Sequence, residues 1–257
     1  MKIITSVVNN PIFIEIQYFT LKKHIQFDFE FIVFNDAKSF SDFTNYNDIT
    51  IKSQIENICI KNNIRYINIP NEHHKAKQNA SFRTAEAMNF ILNYQKKNPD
   101  KYLLLDSDMF LINDLYINDL KGDCAIVLQN RDNYQYIWNG LYYFDTIKLN
   151  MELMNWHCTL NTDTGGCMNK WFIDAKGKNN IMYINHLSSL NWNNDDIELD
   201  NEKLRDFIKN DKRNKNEKFY SELYLNKFFH YRGGGNWKRD TTNEYNKLLY
   251  LKEILVG

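Results

Sequence analysis

An apolar run ends in two carboxylates at Lys101-Tyr-Leu-Leu-Leu-Asp106-Ser-Asp108-Met-Phe-Leu-Ile112. On a strand, residues i and i+2 project to one face, so Asp106 and Asp108 point the same way. Burying one unpaired carboxylate is costly, and two side by side repel as well. Such a pair at the end of a core strand asks for a bound cation. Oxygen ligands suit Mg²⁺ or Mn²⁺, and Mg²⁺ is commonly shared between one or two carboxylates and substrate phosphates. The ligand this predicts is a metal-bound phosphorylated substrate. The plainer alternative is a solvated Asp-Ser-Asp turn that stops a strand.

A second cluster lies near the other end: Phe228-Phe-His230-Tyr-Arg232-Gly233-Gly234-Gly-Asn236-Trp-Lys238-Arg239. Three glycines allow close backbone approach to a ligand, and Arg232, Lys238 and Arg239 bring positive charge suited to a diphosphate. His230 could add a nitrogen ligand to the two aspartates, although a lone histidine is more often a core or surface residue. Arg83 falls in the first turn of a predicted helix, where the dipole favours anions. A phosphate at that position would remove the mismatch; an exposed arginine is the simpler reading. In Ile137-Trp-Asn139-Gly140-Leu-Tyr-Tyr-Phe-Asp145 a glycine beside an asparagine leaves room for a sugar ring, or marks a bulge. In Leu160-Asn-Thr-Asp163-Thr-Gly-Gly166 an acid could meet a substrate hydroxyl, or merely cap a turn.

These residues need a scaffold. The 257 residues are 43% hydrophobic and 15% aromatic, enough for a full core in one α/β domain. Lys plus Arg and Asp plus Glu are both 32, so there is no basic excess of the kind a nucleic-acid or anionic-membrane binder shows. The opening Met1-Lys-Ile-Ile-Thr-Ser turns polar too soon for a secretory leader, and no apolar run approaches the ~20 residues that span a bilayer. Cys59, Cys124, Cys158 and Cys167 are scattered without a Cys-x-x-Cys, which argues against a disulfide framework and a cysteine zinc site. The expectation is a soluble cytoplasmic protein with no nucleic-acid partner and no transmembrane segment.

Residues 2–8 read as a buried strand, 12–23 as a helix, 29–34 as a strand, 51–62 as a helix and 64–69 as a strand. This β-α-β-α-β rhythm is that of a nucleotide-binding half-sheet. Residues 81–95 predict a helix capped by Ser81, with a stripe of Phe82, Ala85, Met88, Ile91 and Leu92. Strands follow at 101–106, 124–128 and 137–144. Residues 191–218 are polar, a flap-like excursion with a short helix near 204–208. A last helix spans 243–255 with Tyr245, Leu248, Leu249, Leu251 and Ile254. The prediction is an α/β fold, one domain over 1–257 in two halves, 1–108 and 109–257, the first of them nucleotide-binding. Ligands of such sheets sit beyond the strands' carboxyl ends, which places Asn9, Asp36 and Asp106 toward one crevice. Asn9 and Asp36 could bond a base or ribose, or simply form turns.

In order and spacing these clusters resemble the GT-A glycosyltransferases, in particular the glycogenin and galactosyltransferase-like retaining group. Asp106-Ser-Asp108 matches the DxD metal motif after an apolar strand. Asn139-Gly140 resembles the N-x-G strand that lines the donor sugar, with Asn and Gly here adjacent. The Asp163 loop stands where the family has an acidic loop. His230-Tyr-Arg-Gly233 with Trp237 is similar to HxxGxxKPW, one residue shorter and without the proline.

The resemblance implies a Rossmann-like, mostly parallel sheet flanked by helices. It implies Mn²⁺ or Mg²⁺ on Asp106, Asp108 and His230. Asn9, Asp36, Arg83, Ser107, Arg232, Gly233, Gly234 and Lys238 are expected at the nucleotide diphosphate, with Asp163 and Asn139 at the reacting sugar. The implied partners are a nucleotide-diphosphate sugar, UDP-linked in the family, and a hydroxyl acceptor. Two rival readings are an Asp-nucleophile phosphatase, which places its motif on the first strand, and a non-catalytic carbohydrate-binding or scaffold module on the same fold.

Overall fold

The continuous apolar runs that end in polar residues become neighbouring strands of one sheet. The computed structural model describes residues 1–40, 49–76, 79–132, 134–187, 199–216, 218–233 and 241–257. In chain order the elements are β1 (Lys2–Val7), α1 (Pro11–His24), β2 (Glu30–Asn35), α2 (Ile51–Lys61), β3 (Arg65–Asn68), α3 (His73–Ala76), α4 (Ala80–Lys97), β4 (Lys101–Asp106), β5 (Met109–Leu111), β6 (Cys124–Arg131), β7 (Tyr134–Asp145), α5 (Met168–Ala175), β8 (Ile181–Tyr183), β9 (His186–Leu187), α6 (Glu202–Lys209), β10 (Glu222–Tyr224), β11 (Phe228–His230) and α7 (Thr241–Val256). The chain divides into two compact units.

The first unit comprises Met1–Pro11, Phe27–Ser107 and Tyr116–Ile184. Its seven-stranded sheet has the order β3-β2-β1-β4-β7-β6-β8. All neighbours pair parallel except those of β7, which is antiparallel to β4 and β6. The fold is therefore the mixed α/β sheet, mostly parallel and flanked by helices, that the strand-helix alternation predicts. The order 3-2-1-4 reverses direction between β1 and β4, the switch point where such sheets bind ligands.

Alternate residues Ile4, Ile32, Phe34, Leu104, Ile126 and Phe144 face a core with Met88, Ile91 and Leu92 of α4 and Trp171 and Phe172 of α5. Ile3, Val33, Leu103 and Leu105 on the opposite face are buried too, which is why the strands read as unbroken apolar runs rather than alternating ones. Each such side chain contributes about 1.5–3 kcal/mol by leaving water. Stacking of Tyr142 on Trp156 (5.2 Å) and on Phe144 (4.3 Å) continues that core.

Helix α4 starts one residue earlier than its expected cap. Asn79 is the N-cap, its side chain accepting the Ser81 N–H at 2.8 Å, and Ser81 lies inside the first turn. Phe82 is exposed, so the buried stripe is carried by Ala85, Met88, Ile91 and Leu92.

The second unit comprises Ile12–Gln26, Asp108–Leu115 and Asn185–Gly257. It holds an antiparallel sheet, β5-β11-β10-β9, assembled from strands of two or three residues. Its core joins Phe13 and Ile16 of α1, Phe110, Phe229, Leu204 and Ile208 of α6, and Leu248 and Leu251 of α7. Tyr245 and Leu249 of the expected α7 stripe are exposed. The polar excursion is thus anchored where α6 buries Leu204 and Ile208. Residues 191–198 of it lie outside the described residues. Among the described residues, no helix is long and apolar enough to cross a membrane.

Candidate functional site

In the first unit, β1 registers Ser6 against Asp106 of β4 and Val7 against Asn35 of β2. The carboxyl ends of the three strands therefore lie side by side, with Asn9 just beyond β1, Asp36 just beyond β2 and Asp106 closing β4. Asp106 accepts the Ser107 N–H on Oδ1 at 2.8 Å, which orients its carboxylate at the strand end. Asp36 differs from its neighbours: its side chain is 2% exposed and faces two histidines rather than an open edge.

Three other expected residues come from elements that touch. The Thr164 hydroxyl donates to the Ser81 carbonyl (2.8 Å), so the loop of Asp163 rests on the first turn of α4, which carries Arg83. Gly165 has φ +97° and donates to the Trp156 carbonyl. A Cβ there would lie 2.2 Å from the Ile137 carbonyl oxygen, so only glycine lets this loop press onto β7. Asp163 takes the Thr164 N–H on Oδ1 and stands 3.8 Å from Arg131, both half-exposed. Asn139 lies where pairing with β6 slips between Ile126 and Leu128, two residues before Leu141, the last partner of β4. The bulge is present, and the Trp138 indole covers Gly140, where a Cβ would fall 2.2 Å from the ring.

In the second unit, β5 begins one residue after Asp108 and pairs Met109 with His230. Gln17 of α1 holds this strand by donating to the Met109 carbonyl (3.0 Å), and the Tyr231 N–H donates to the Asp108 carbonyl (2.8 Å). The pairing brings His230 Nε2 to 3.2 Å from Asp108 Oδ1, although the two are far apart in sequence. On its other side β10 sets Glu222 opposite His230, with Oε2 2.9 Å from Nδ1. With Nδ1–H donating to Glu222, Nε2 is the nitrogen turned to Asp108. This is the carboxylate–histidine arrangement that fixes the ring of a metal ligand. The Tyr224 hydroxyl donates to Glu222 (2.9 Å), and Arg232 Nη1 is 3.7 Å from its second oxygen.

Burial alone would lower the His230 pKa, but the charge and hydrogen bonds of Asp108 and Glu222 outweigh it and raise it from 6.5 to about 10. Burial would raise the Glu222 carboxyl; His230, the Tyr224 hydroxyl and Arg232 outweigh it and hold the group below its ordinary 4.5. Two consequences follow. Stability from the raised His230 is fully present below pH 6.5 and lost as pH rises through about 10; that from Glu222 is present above 4.5 and lost on acidification. A cation taking Nε2 must also displace its proton. The affinity of any divalent cation that takes this nitrogen is therefore expected to rise about tenfold per pH unit across neutrality, with release of about one proton. Calorimetry in buffers of different ionisation enthalpy measures that release; a pH-independent affinity without proton release would contradict it.

Arg232 is exposed, and Gly233, at φ +69°, lies next to the Tyr220 hydroxyl. Arg213 braces this turn: it donates to the Arg232 carbonyl (2.7 Å), forks onto Asp211 and stacks on Tyr220 and Tyr231. Gly234 and Lys238, with Asn236, Trp237 and Arg239, lie outside the described residues. Glu222, Arg213, His73 and His74 were not singled out from the sequence. The only signal for Glu222 is cross-strand pairing, which needs the register of strands too short to recognise.

No protein-family model matches the chain, and no curated protein matches it. Among solved structures it is similar to a crystal structure of an active-site mutant of LgtC, at 14% identity and a TM-score of 0.41. The match spans 58% of this chain and 58% of the length of that one.

Proposed function

We infer that the chain is a metal-dependent glycosyltransferase, moving a hexose-type sugar from a nucleotide-diphosphate sugar, UDP-linked, to a hydroxyl acceptor in glycan or glycoconjugate synthesis. The observation that carries this is the pairing of β5 with β11, which sets His230 Nε2 3.2 Å from Asp108 directly after the Asp106 strand end. A strand end at the β1/β4 switch point is where a nucleotide belongs. Asp108 and an imidazole whose other nitrogen is fixed by Glu222 offer an oxygen and a nitrogen donor that suit Mn²⁺ or Mg²⁺, and Asp106 stands two residues before Asp108 in the chain. The Asp-nucleophile phosphatase reading loses ground because the motif closes β4 and not the first strand.

In this reading Asp106, Asp108 and His230 would hold the cation, which when bound neutralises the diphosphate's charge as it leaves. Ser107, Asn9 and the glycines Gly233 and Gly234 offer polar groups and close backbone approach to the nucleotide. Arg83, Arg232 and Lys238 add positive charge where negative charge develops. Asn139 lines the donor sugar. Asp163 has two roles by stereochemistry. In a retaining transfer it orients the sugar and the departing phosphate takes the acceptor proton; in an inverting one it is the base that takes that proton.

The test is release of nucleotide diphosphate from a panel of nucleotide sugars with Mn²⁺ and with EDTA. Turnover of one donor that EDTA abolishes is expected, and the anomeric configuration of the product assigns Asp163. If no donor turns over or binds with metal, the enzyme reading fails; a glycan or protein partner that binds in EDTA would then identify a scaffold.

A further inference from the structure

Asp36 and two histidines form a second cluster, wholly within the first unit and sharing no residue with the Asp106, Asp108 and His230 group. Asp36 follows β2, its N–H donating to the Val7 carbonyl (2.9 Å). After β3 the chain turns back at Pro70. Asn71 ties the two segments by donating to the Ala37 carbonyl (2.6 Å), and α3 begins with His73 and His74. His73 Nε2 lies 3.1 Å from Asp36 Oδ1 and 3.3 Å from Oδ2; His74 Nε2 lies 3.1 Å from Oδ2 and 3.0 Å from the Asp36 carbonyl. The side chains of Asp36, His74 and His73 are only 2%, 3% and 9% exposed.

Hydrogen bonding alone leaves this cluster incomplete. Despite its distance to His73, Oδ1 of Asp36 accepts no hydrogen bond of proper geometry among the described residues. A buried acceptor left unsatisfied costs about 1–3 kcal/mol. One cation would satisfy Oδ1 and both Nε2 atoms. At metal–ligand bonds of about 2.0–2.1 Å, the edge of a tetrahedron is about 3.3 Å, close to the 3.1 Å between His73 Nε2 and Asp36 Oδ1.

The geometry points to a second metal site, Asp36–His73–His74, that takes a transition-metal ion of the zinc class. Its two-nitrogen, one-carboxylate donor set differs from the oxygen-rich Asp106–Asp108 pair, which suits harder ions. Its burial suits a structural ion that clamps the turn after β3 to the end of β2. This site also gives Asp36 a role other than contact with a ribose.

The experiment uses the full chain, stripped with chelator and given Zn²⁺ alone. In an Asp108→Ala background, which disables the other centre, about one equivalent should bind per chain by calorimetry and elemental analysis, and raise the melting temperature. Adding His73→Gln should weaken that binding at least about 100-fold and abolish the rise. The same Asp108→Ala chain provides a readout that needs no change at the histidines: with less than one equivalent bound, Zn K-edge absorption should show two imidazoles. Zinc binding that His73→Gln leaves intact, an Asp108→Ala background that binds none, or an ion with fewer than two imidazoles overturns the assignment. None of these outcomes depends on whether the chain transfers sugars.

Discussion

Asp108→Ala is expected to lower metal-dependent release of nucleotide diphosphate from the preferred donor by at least about 100-fold. Changes in the outer contacts of a metal ligand already cost about 10–100-fold, and loss of a ligand itself costs more. The change takes one carboxylate from a buried charge group and so costs stability, but the fold should persist. The Asp108 carbonyl keeps its bond from Tyr231, and Glu222 remains as partner to the His230 imidazolium. Asp108→Asn keeps the side-chain shape while removing the charge, and should lose activity nearly as far. Steady-state kinetics with and without Mn²⁺, beside a melting curve, separate loss of chemistry from loss of fold. Undiminished turnover in a folded variant would remove Asp108 from the metal site, and with it the glycosyltransferase reading.

The second large effect concerns stability. In the metal-free chain His230 is a buried cation between Asp108 and Glu222, with side chains 7%, 8% and 13% exposed. Removing one member of a buried charge group leaves the others uncompensated, at a cost of about 3–5 kcal/mol. His230→Ala is therefore expected to destabilise the chain by about that amount in EDTA, with a further loss from the cavity. Because the folded-state pKa is raised, the penalty is largest below pH 6.5 and narrows as pH rises through about 10, where the native histidine is itself neutral. Denaturant unfolding of both proteins at several pH values measures it. A penalty independent of pH would mean that His230 is held as a neutral ring and contributes through packing alone.

Much of the first unit was legible. Strands buried on both faces need unbroken apolar runs, so β1, β2 and β4 stand out, as do the polar residues that close them. Periodicity also located α4 and α7, yet it misjudged their edges: Phe82, Tyr245 and Leu249 sit at positions where the helix face turns to solvent. Asn79 and Ser81 are both good N-caps, and local composition could not choose between them. The second sheet was not read at all, because strands of two or three residues are too short to show period two.

The site divides along the same line. The chain alone determined that two carboxylates close a buried strand, because Asp106 and Asp108 follow an apolar run at a spacing that strand geometry turns to one face. It also determined that a histidine and a glycine turn lie together near the other end. Which groups meet was decided only in three dimensions. His230 gains Asp108 from the residue before β5 and Glu222 from β10, and that choice of partners raises its affinity for a proton. Asp36, read from the sequence as a ribose or base contact or a turn former, becomes the focus of two imidazoles when α3 folds back onto the end of β2. Such pairings depend on register and on burial, which strengthens charge interactions by removing water.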